Sequence, residues 1–158
     1  LPAFLTINGG LNSGFMIVQY SAASLVSENK VLSHPASVDS IPSSANQEDH
    51  VSMGTIAARK ARQIIDNARR VIAMELLAAC QALDLRAIQL GFPSIVDSLS
   101  PATAQIYTII RTVVRFSEQD RIMYPDIDAV VRLLSDEILP QTMERWSWNP
   151  EPVVAHEQ

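Results

Sequence analysis

The spacing of apolar residues along the chain predicts a series of helices. Residues 11–31 carry Ala, Ser, Met, Leu and Val on nearly every helical face, a composition typical of a buried helix. Asn12 and Ser13 are candidate N-caps for this helix, because a short polar side chain at that position can accept a backbone N–H. The pattern stops after residue 32, so the first predicted helix ends there.

A loop is predicted over residues 33–50. It contains five serines and two prolines, and no apolar periodicity runs through it. Pro35 and Pro42 bias the residues before them towards extended backbone, which disfavours a helix. Loops of this length within a compact domain are usually functional or disordered. This segment is therefore the first place to look for a function.

The rest of the chain also has a helical pattern. Three further helices are predicted, over residues 52–85, 101–116 and 126–138. Ser100 followed by Pro101 is a typical helix start, whereas residues 146–158 are expected to form an irregular tail. Because no segment shows the alternation of a strand, the expected fold class is all-α, in a single domain covering residues 1–158.

The length of the second predicted helix indicates that the chain assembles with something else. At 1.5 Å per residue, about 34 residues span roughly 50 Å, whereas a compact domain of this size is only about 40 Å across. The second half of this helix is apolar on most sides and needs another chain, or another part of the same chain, to cover it. A kink near Asn67 is the alternative. We expect a multi-chain helical bundle.

Composition narrows the classes of function. The net charge of −5 provides no basic surface for nucleic acid. Only 18% of the residues are charged while 47% are hydrophobic, which suggests that part of the surface is covered in an assembly. The single cysteine, Cys80, has no partner for an internal disulfide. We expect it to be a small buried apolar residue in a protein of a reducing, cytoplasmic compartment.

No signal peptide or membrane span is predicted. The longest apolar stretch, residues 71–90, contains Glu75, Asp84 and Arg86, and each of these would be costly in a bilayer. Because of these charged residues, we expect no membrane partner.

The chain begins with Leu1 rather than Met, and we expect from this that it is a piece of a longer protein.

Polar and ionisable residues are consecutive at the end of the loop, in the order Asn46, Gln47, Glu48, Asp49 and His50. Such a run can supply a general base, hydrogen bonds to a polar substrate or an N-cap for the next helix. On residue types alone, capping and solvation are favoured over catalysis. Consecutive residues on an extended loop rarely converge on one ion, so no metal site is predicted.

Residues 38–54, VDSIPSSANQEDHVSMG, resemble the motif VDSIPTSANQEDHVSMG of the histidine ammonia-lyases. Ser43 stands where the motif has Thr, and it keeps the hydroxyl. The segments GLNSGFM (residues 10–16), SENKVL (27–32) and ELLAACQALD (75–84) resemble the same family in the same order. By this resemblance the chain is identified as the C-terminal part of a member of this branch of the aromatic amino acid ammonia-lyases.

The resemblance implies a long-helix bundle of the ammonia-lyase and fumarase type, with one functional loop between the first two helices, assembled as a homotetramer. It also implies an enzyme that eliminates ammonia from L-histidine to give urocanate. Family members do so with an electrophilic methylidene-imidazolone (MIO) group, which forms from an internal Ala-Ser-Gly tripeptide. No Ala-Ser-Gly occurs in this chain. We therefore expect that the chain alone builds no such cofactor and is inactive.

Within the resemblance, Glu48 matches the glutamate that reaches the active site and serves in acid/base chemistry or contacts the substrate imidazole. A carboxylate can accept a charge-assisted bond from an imidazole N–H, which a phenyl ring cannot offer. Gln47 and Asn46 are expected to orient Glu48 or to line the substrate pocket. The alternative for Glu48 is a carboxylate favoured by the dipole at a helix N-terminus. Three other residues are expected to hold the shape of the loop, namely Asp39, Ser40 and His50.

Two other functional assignments stay open. The chain could be a free-standing helical oligomerisation module, descended from an ammonia-lyase and without catalysis. It could also be part of an aromatic amino acid aminomutase of the same superfamily, although Glu48 and its neighbours match the histidine branch.

Overall fold

Helices joined by loops and short turns make up the fold. The computed structural model describes residues 1–38, 40–52, 54–136 and 138–146, and no strand forms within them. Five α-helices follow one another: α1 (Met16–Leu32), α2 (Gly54–Leu90), α3 (Pro101–Val113), α4 (Tyr124–Ser135) and α5 (Ile138–Glu144). None of these helices is both long enough and apolar enough to cross a membrane. The all-α prediction is confirmed.

Helix α1 begins later than predicted, at Met16. Asn12 and Ser13 do not cap it, since the N-cap position is Phe15 and no side chain caps the first turn. Just before it, Gly14 has a φ of 55°, a left-handed conformation that glycine adopts easily and a helix cannot contain. The residues before Phe15 therefore form turns, and the prediction of a helix from residue 11 is wrong in its first turn.

Helix α2 is longer than predicted and spans about 55 Å at 1.5 Å per residue. It runs without a break through Asn67, where a kink was the alternative. Gly91 ends it with a φ of 68°, and the Phe92 N–H donates to the Ala87 carbonyl at 2.9 Å, which is the bond of a Schellman cap. The predicted end at residue 85 is wrong because no helix-breaking residue occurs before Gly91.

Helix α3 begins as predicted but ends early. Ser100 is its N-cap and accepts a backbone N–H on its side chain, and Pro101 lies in the first turn. The helix ends at Val113 instead of residue 116. Beyond its end, Gln81 of α2 accepts the Ser117 N–H at 3.1 Å and donates to the Ser117 carbonyl at 2.8 Å. These bonds hold Ser117 outside the helix.

The last two helices also differ from the prediction over residues 126–138. Helix α4 begins at Tyr124 and ends at Ser135, and a separate helix, α5, contains Pro140 where irregular chain was expected. Proline is accommodated because it is the third residue of α5, where a backbone N–H has no partner within the helix. Apart from Trp146, the predicted tail lies outside the described residues.

The core forms where the second half of α2 meets the other helices. Its buried residues are Phe15, Val18, Ala73, Met74, Leu77, Cys80, Ile110, Val114, Ile127, Val130, Leu133 and Leu139. Cys80 is 3% exposed, and burial raises the pKa of its thiol to about 11. The prediction of a small buried apolar residue at this position is confirmed.

The second half of α2 was expected to be covered by another chain or by another part of the same chain, and the distribution of burial along α2 shows the second of these. Ala73 and the buried residues that follow it lie in the second half, which the other helices of this chain cover. In the first half no residue of α2 before Asn67 is buried. Ile65 and Ile72 are 51% and 46% exposed. The less buried part of α2 is therefore its first half, which lies next to the loop and contacts α1.

Candidate functional site

The loop between α1 and α2 is closed by hydrogen bonds at two levels. Ser40 accepts the Val51 N–H on its side-chain oxygen at 2.9 Å, as expected of a residue that fixes the loop. Nearer the tip, the Ser43 N–H donates to the Glu48 carbonyl at 2.9 Å, and the Glu48 N–H donates to the Ser43 carbonyl at 3.3 Å. The backbone of Glu48 is therefore held in place relative to Ser43.

Between Ser43 and Glu48 the chain makes a tight turn with an uncommon backbone. Ser44, Ala45 and Asn46 have φ values of 54°, 55° and 65°. Asn tolerates this left-handed conformation, but it costs other residues with a Cβ roughly 1–2 kcal/mol each. Such strain persists only where the surrounding structure imposes it, and it is typical of functional sites. Here the paired backbone bonds at the ends of the turn impose it.

The side chain of Glu48 lies at the surface of the chain. All residues from 41 to 50 are exposed, and no hydrogen bond or ion pair in the described part of the chain engages the Glu48 carboxylate. Helix α2 begins only at Gly54, and its first turn has no acidic residue. The effect of the helix dipole is confined to the first turn, so the alternative role of Glu48 at a helix N-terminus is not supported.

The neighbours of Glu48 shape the loop through their backbones. Gln47 donates its N–H within the turn at 3.1 Å, and Asn46 is the last of the left-handed residues. Within residues 40–52, no hydrogen bond joins the side chain of Asn46 or Gln47 to Glu48. His50 is exposed, which differs from the packing expected of it within the loop. Asp39 lies outside the described residues.

A cavity of about 410 Å³ lies at the other end of α1 from the loop. Residues of the N-terminal turn and the first turns of α1 line one side, and the segment around Asp120 and Tyr124 lines the other. At 1.5 Å per residue the two ends of α1 are about 25 Å apart. Glu48 does not belong to this cavity. Any pocket around Glu48 needs walls from outside the described residues.

Known proteins match this chain over most of its length. A family model described as aromatic amino acid lyase matches residues 1–112. The chain belongs to this family. Histidine ammonia-lyase 1 of Fusobacterium nucleatum is 57% identical over 145 residues, which are 92% of this chain. The resemblance carried by residues 38–54 is therefore confirmed across the rest of the sequence.

Solved structures of the family share this fold. Histidine ammonia-lyase from Trypanosoma cruzi matches 99% of this chain and 32% of its own, with a TM-score of 0.80 and 41% identity. Tyrosine aminomutase from Streptomyces globisporus matches 95% of this chain and 27% of its own, with a TM-score of 0.82 and 38% identity. The chain spans about a quarter of the length of its curated relatives, 27% for the Fusobacterium protein.

The chain contains no Ala-Ser-Gly, the tripeptide from which the MIO group is expected to form. The chain has one Ser-Gly pair, Ser13-Gly14, and Asn12 precedes it in place of alanine. The Ser13 and Gly14 N–H groups both donate to the Asp120 carboxylate at 2.8 Å, and these bonds hold the pKa of Asp120 below its usual range. The pair is thus a structural turn before α1. Among the described residues, no cluster of His, Cys, Asp and Glu is placed to hold a metal ion.

Proposed function

We propose that this chain is the C-terminal part of a histidine ammonia-lyase, which converts L-histidine into urocanate and ammonia. The observation that carries the proposal is the exposed Glu48 carboxylate, whose backbone is held at the tip of a closed loop. The 57% identity to a histidine ammonia-lyase of Fusobacterium nucleatum supports the same substrate. The activity is proposed for the whole protein.

The proposed reaction gives Glu48 two suitable tasks. The bond between Cα and the amino nitrogen breaks, a proton leaves Cβ, and the electron pair left on Cβ forms the Cα–Cβ double bond. A carboxylate can accept a charge-assisted hydrogen bond from the imidazole N–H of histidine, or it can accept the departing proton as a general base. Gln47 and Asn46 are proposed to line the substrate site beside it.

The electrophile is proposed to be the MIO group of the family, formed by another segment of the whole protein. When present, that group supplies the electron-accepting centre that the elimination needs. None of the residues of this chain is proposed to hold it. The contribution of this chain is the Glu48 loop and the helices that support it.

An aminomutase is the second candidate, since the tyrosine aminomutase shares the fold as closely as the ammonia-lyase does, with TM-scores of 0.82 and 0.80. By definition an aminomutase moves the amino group to a neighbouring carbon instead of releasing it. Identity favours the lyase, at 57% to the Fusobacterium protein against 38% to the aminomutase. A non-catalytic module is not favoured, because these relatives are enzymes.

We expect the full-length protein to convert L-histidine into equal amounts of urocanate and ammonia, and the isolated 158-residue chain to form neither. The reason is that the chain contains no Ala-Ser-Gly. Urocanate is followed by its ultraviolet absorbance, ammonia by a coupled assay and any β-amino acid by chromatography. A β-amino acid as the main product would favour the aminomutase. Turnover by a contaminant-free sample of the isolated chain would contradict the assignment of the electrophile to another segment.

We also propose that the whole protein is cytoplasmic and forms a homo-oligomer, with the tetramer implied by the resemblance. Ile65 and Ile72 support the assembly because both are about half exposed, at 51% and 46%. They are seven residues apart, so they share one face of α2. Exposed apolar side chains on this face of α2 are suited to contact another copy or another part of the protein.

Replacing both residues, Ile65→Asp and Ile72→Asp, should weaken this assembly, since an unpaired charge is costly to bury. Sedimentation equilibrium of the full-length double variant should give a lower mean mass than that of the parent. An unchanged mass at all concentrations would show that this face of α2 does not contribute to the assembly.

A further inference from the structure

A network of polar side chains centred on Asn67 joins α1 to α2. The Asn67 side-chain nitrogen donates to a Glu28 carboxylate oxygen at 2.7 Å and to the Asn29 side-chain oxygen at 2.9 Å. One turn earlier on α2, the Gln63 side chain donates to the other Glu28 oxygen at 3.2 Å. The last turns of α1 are thus tied to a defined position on α2.

The same pattern of contacts continues from the helices into the loop. Beyond Gln63, the Lys60 ammonium of α2 donates to the His34 carbonyl just after α1. Beyond that contact come the two levels of loop closure, which end at Glu48. Along this series of contacts, the residue numbers increase on the α1 side and decrease on the α2 side, as in an antiparallel hairpin. Each contact therefore encloses a shorter loop around Glu48.

Beside the loop, α1 and α2 have no fully buried apolar residue, and the nearest apolar residues of α1 that pack against the core, Ala22 and Leu25, are only partly buried. Asn67 is 8% exposed and is the first buried residue of α2. On α1 the one buried residue, Val18, lies near the opposite end of the helix. Hydrophobic contact is non-directional, whereas hydrogen bonds require a defined distance and angle. The polar network therefore supplies the directional contacts between α1 and α2 at the base of the loop.

We propose that Asn67, acting through Glu28, is a positioning residue for Glu48. A slip of one helical turn would move one end of the loop by about 5.4 Å relative to the other. A displacement of only about 1 Å in a catalytic group can reduce the rate by about 10²-fold. The proposal rests on the catalytic or substrate-binding role proposed for Glu48, and it assigns to Asn67 no contact with the substrate.

The first test is Asn67→Leu in the full-length protein, which removes both donated bonds and keeps the branched shape of the side chain. We expect kcat/KM for histidine to fall by about tenfold or more, mainly through kcat. The matched control is Gln81→Leu. Gln81 is also a buried amide of α2, 1% exposed, and it donates to the Leu5 and Ser117 carbonyls. It lies about 21 Å further along the helix.

The control variant is expected to lose stability at least as much as Asn67→Leu but to keep kcat/KM within about threefold of the parent. Normal kcat/KM in Asn67→Leu would overturn the proposal. So would an equal loss of kcat/KM in Gln81→Leu, because any disturbance of the bundle would then have the same effect.

Glu28 provides a second test that does not depend on tolerance of a core substitution, since its side chain is exposed. Glu28→Gln keeps an acceptor for Asn67 and can donate to the Gln63 side-chain oxygen, so it should retain kcat/KM within about twofold. Glu28→Met breaks both bonds and should reproduce the loss seen in Asn67→Leu. Equal values of kcat/KM in Glu28→Gln and Glu28→Met would overturn the positioning role.

Hydrogen exchange separates this proposal from the proposed function. In the full-length protein, the amides of residues 40–52 should exchange faster in Asn67→Leu than in the parent or in Gln81→Leu, whatever the substrate is. Unchanged exchange in this segment would overturn the positioning role. Faster exchange in a protein that forms no urocanate would support the positioning role and overturn only the assignment of the reaction.

Discussion

Changing Glu48→Gln in the full-length protein is expected to lower kcat/KM for histidine by a factor of about 10² or more. The substitution keeps the length of the side chain and one accepting oxygen, but it removes the negative charge and the ability to take a proton. Because the amide keeps the size and hydrogen-bonding reach of the side chain, the free energy of unfolding should change by less than about 0.5 kcal/mol. Measuring kcat/KM and Tm on the same preparation separates the two effects.

The adjacent carboxylate provides a matched control for Glu48→Gln. Asp49→Asn is the same chemical change, one residue further along, at another exposed position. It should leave kcat/KM within about threefold of the parent, because no contact with the substrate is proposed for Asp49. An equal loss in Asp49→Asn would show that the charge of the loop matters and not Glu48 itself. Intact turnover with a lowered Tm in Glu48→Gln would assign Glu48 a structural role instead.

Gly14→Ala is expected to destabilise the fold strongly. Gly14 has a φ of 55°, which costs a residue with a Cβ roughly 1–2 kcal/mol. The added Cβ would also collide with the Phe4 carbonyl oxygen and lie 2.9 Å from the Thr6 Cβ. That carbonyl accepts the Phe15 N–H at 2.8 Å, so it cannot move away without losing this bond. Overpacking adds typically about 1–3 kcal/mol.

We therefore expect Gly14→Ala to lower the free energy of unfolding of this region by about 2 kcal/mol or more. Gly9→Ala is the control, because a Cβ there meets nothing within 4 Å and the backbone is not left-handed. The free energy of unfolding of each full-length variant is measured by urea denaturation, followed by circular dichroism. A Gly14→Ala protein as stable as Gly9→Ala would contradict the packing of the turn against residues 4–6.

The elements that could be predicted from the sequence are those with local signals. Ser100 and Pro101 indicated the start of α3, and the unbroken apolar stripe after residue 52 indicated the long helix. The prolines and serines after residue 33 indicated the loop, and its family motif drew attention to Glu48. In each case neighbouring residues determine the backbone, so a single sequence is sufficient.

What the sequence did not show depends on residues far apart in the chain. Asp120 binds the Ser13 N–H across 107 positions, and no local pattern predicts this bond or the late start of α1. Gln81 of α2 similarly binds Ser117, beyond the end of α3, across 36 positions. The left-handed turn at the tip of the loop has one local signal, Asn46. The conformation of Ala45 follows from the pairing of the residues around it.

A crystal structure of the full-length protein with L-histidine, or a non-reacting analogue of it, would test the role of the loop most directly. We predict that a Glu48 carboxylate oxygen lies about 2.7–3.2 Å from an imidazole nitrogen, with residues 41–50 covered by other parts of the assembly. A ligand bound beyond hydrogen-bonding reach of Glu48, with its imidazole held by a different residue, would contradict the proposal that this loop recognises the substrate.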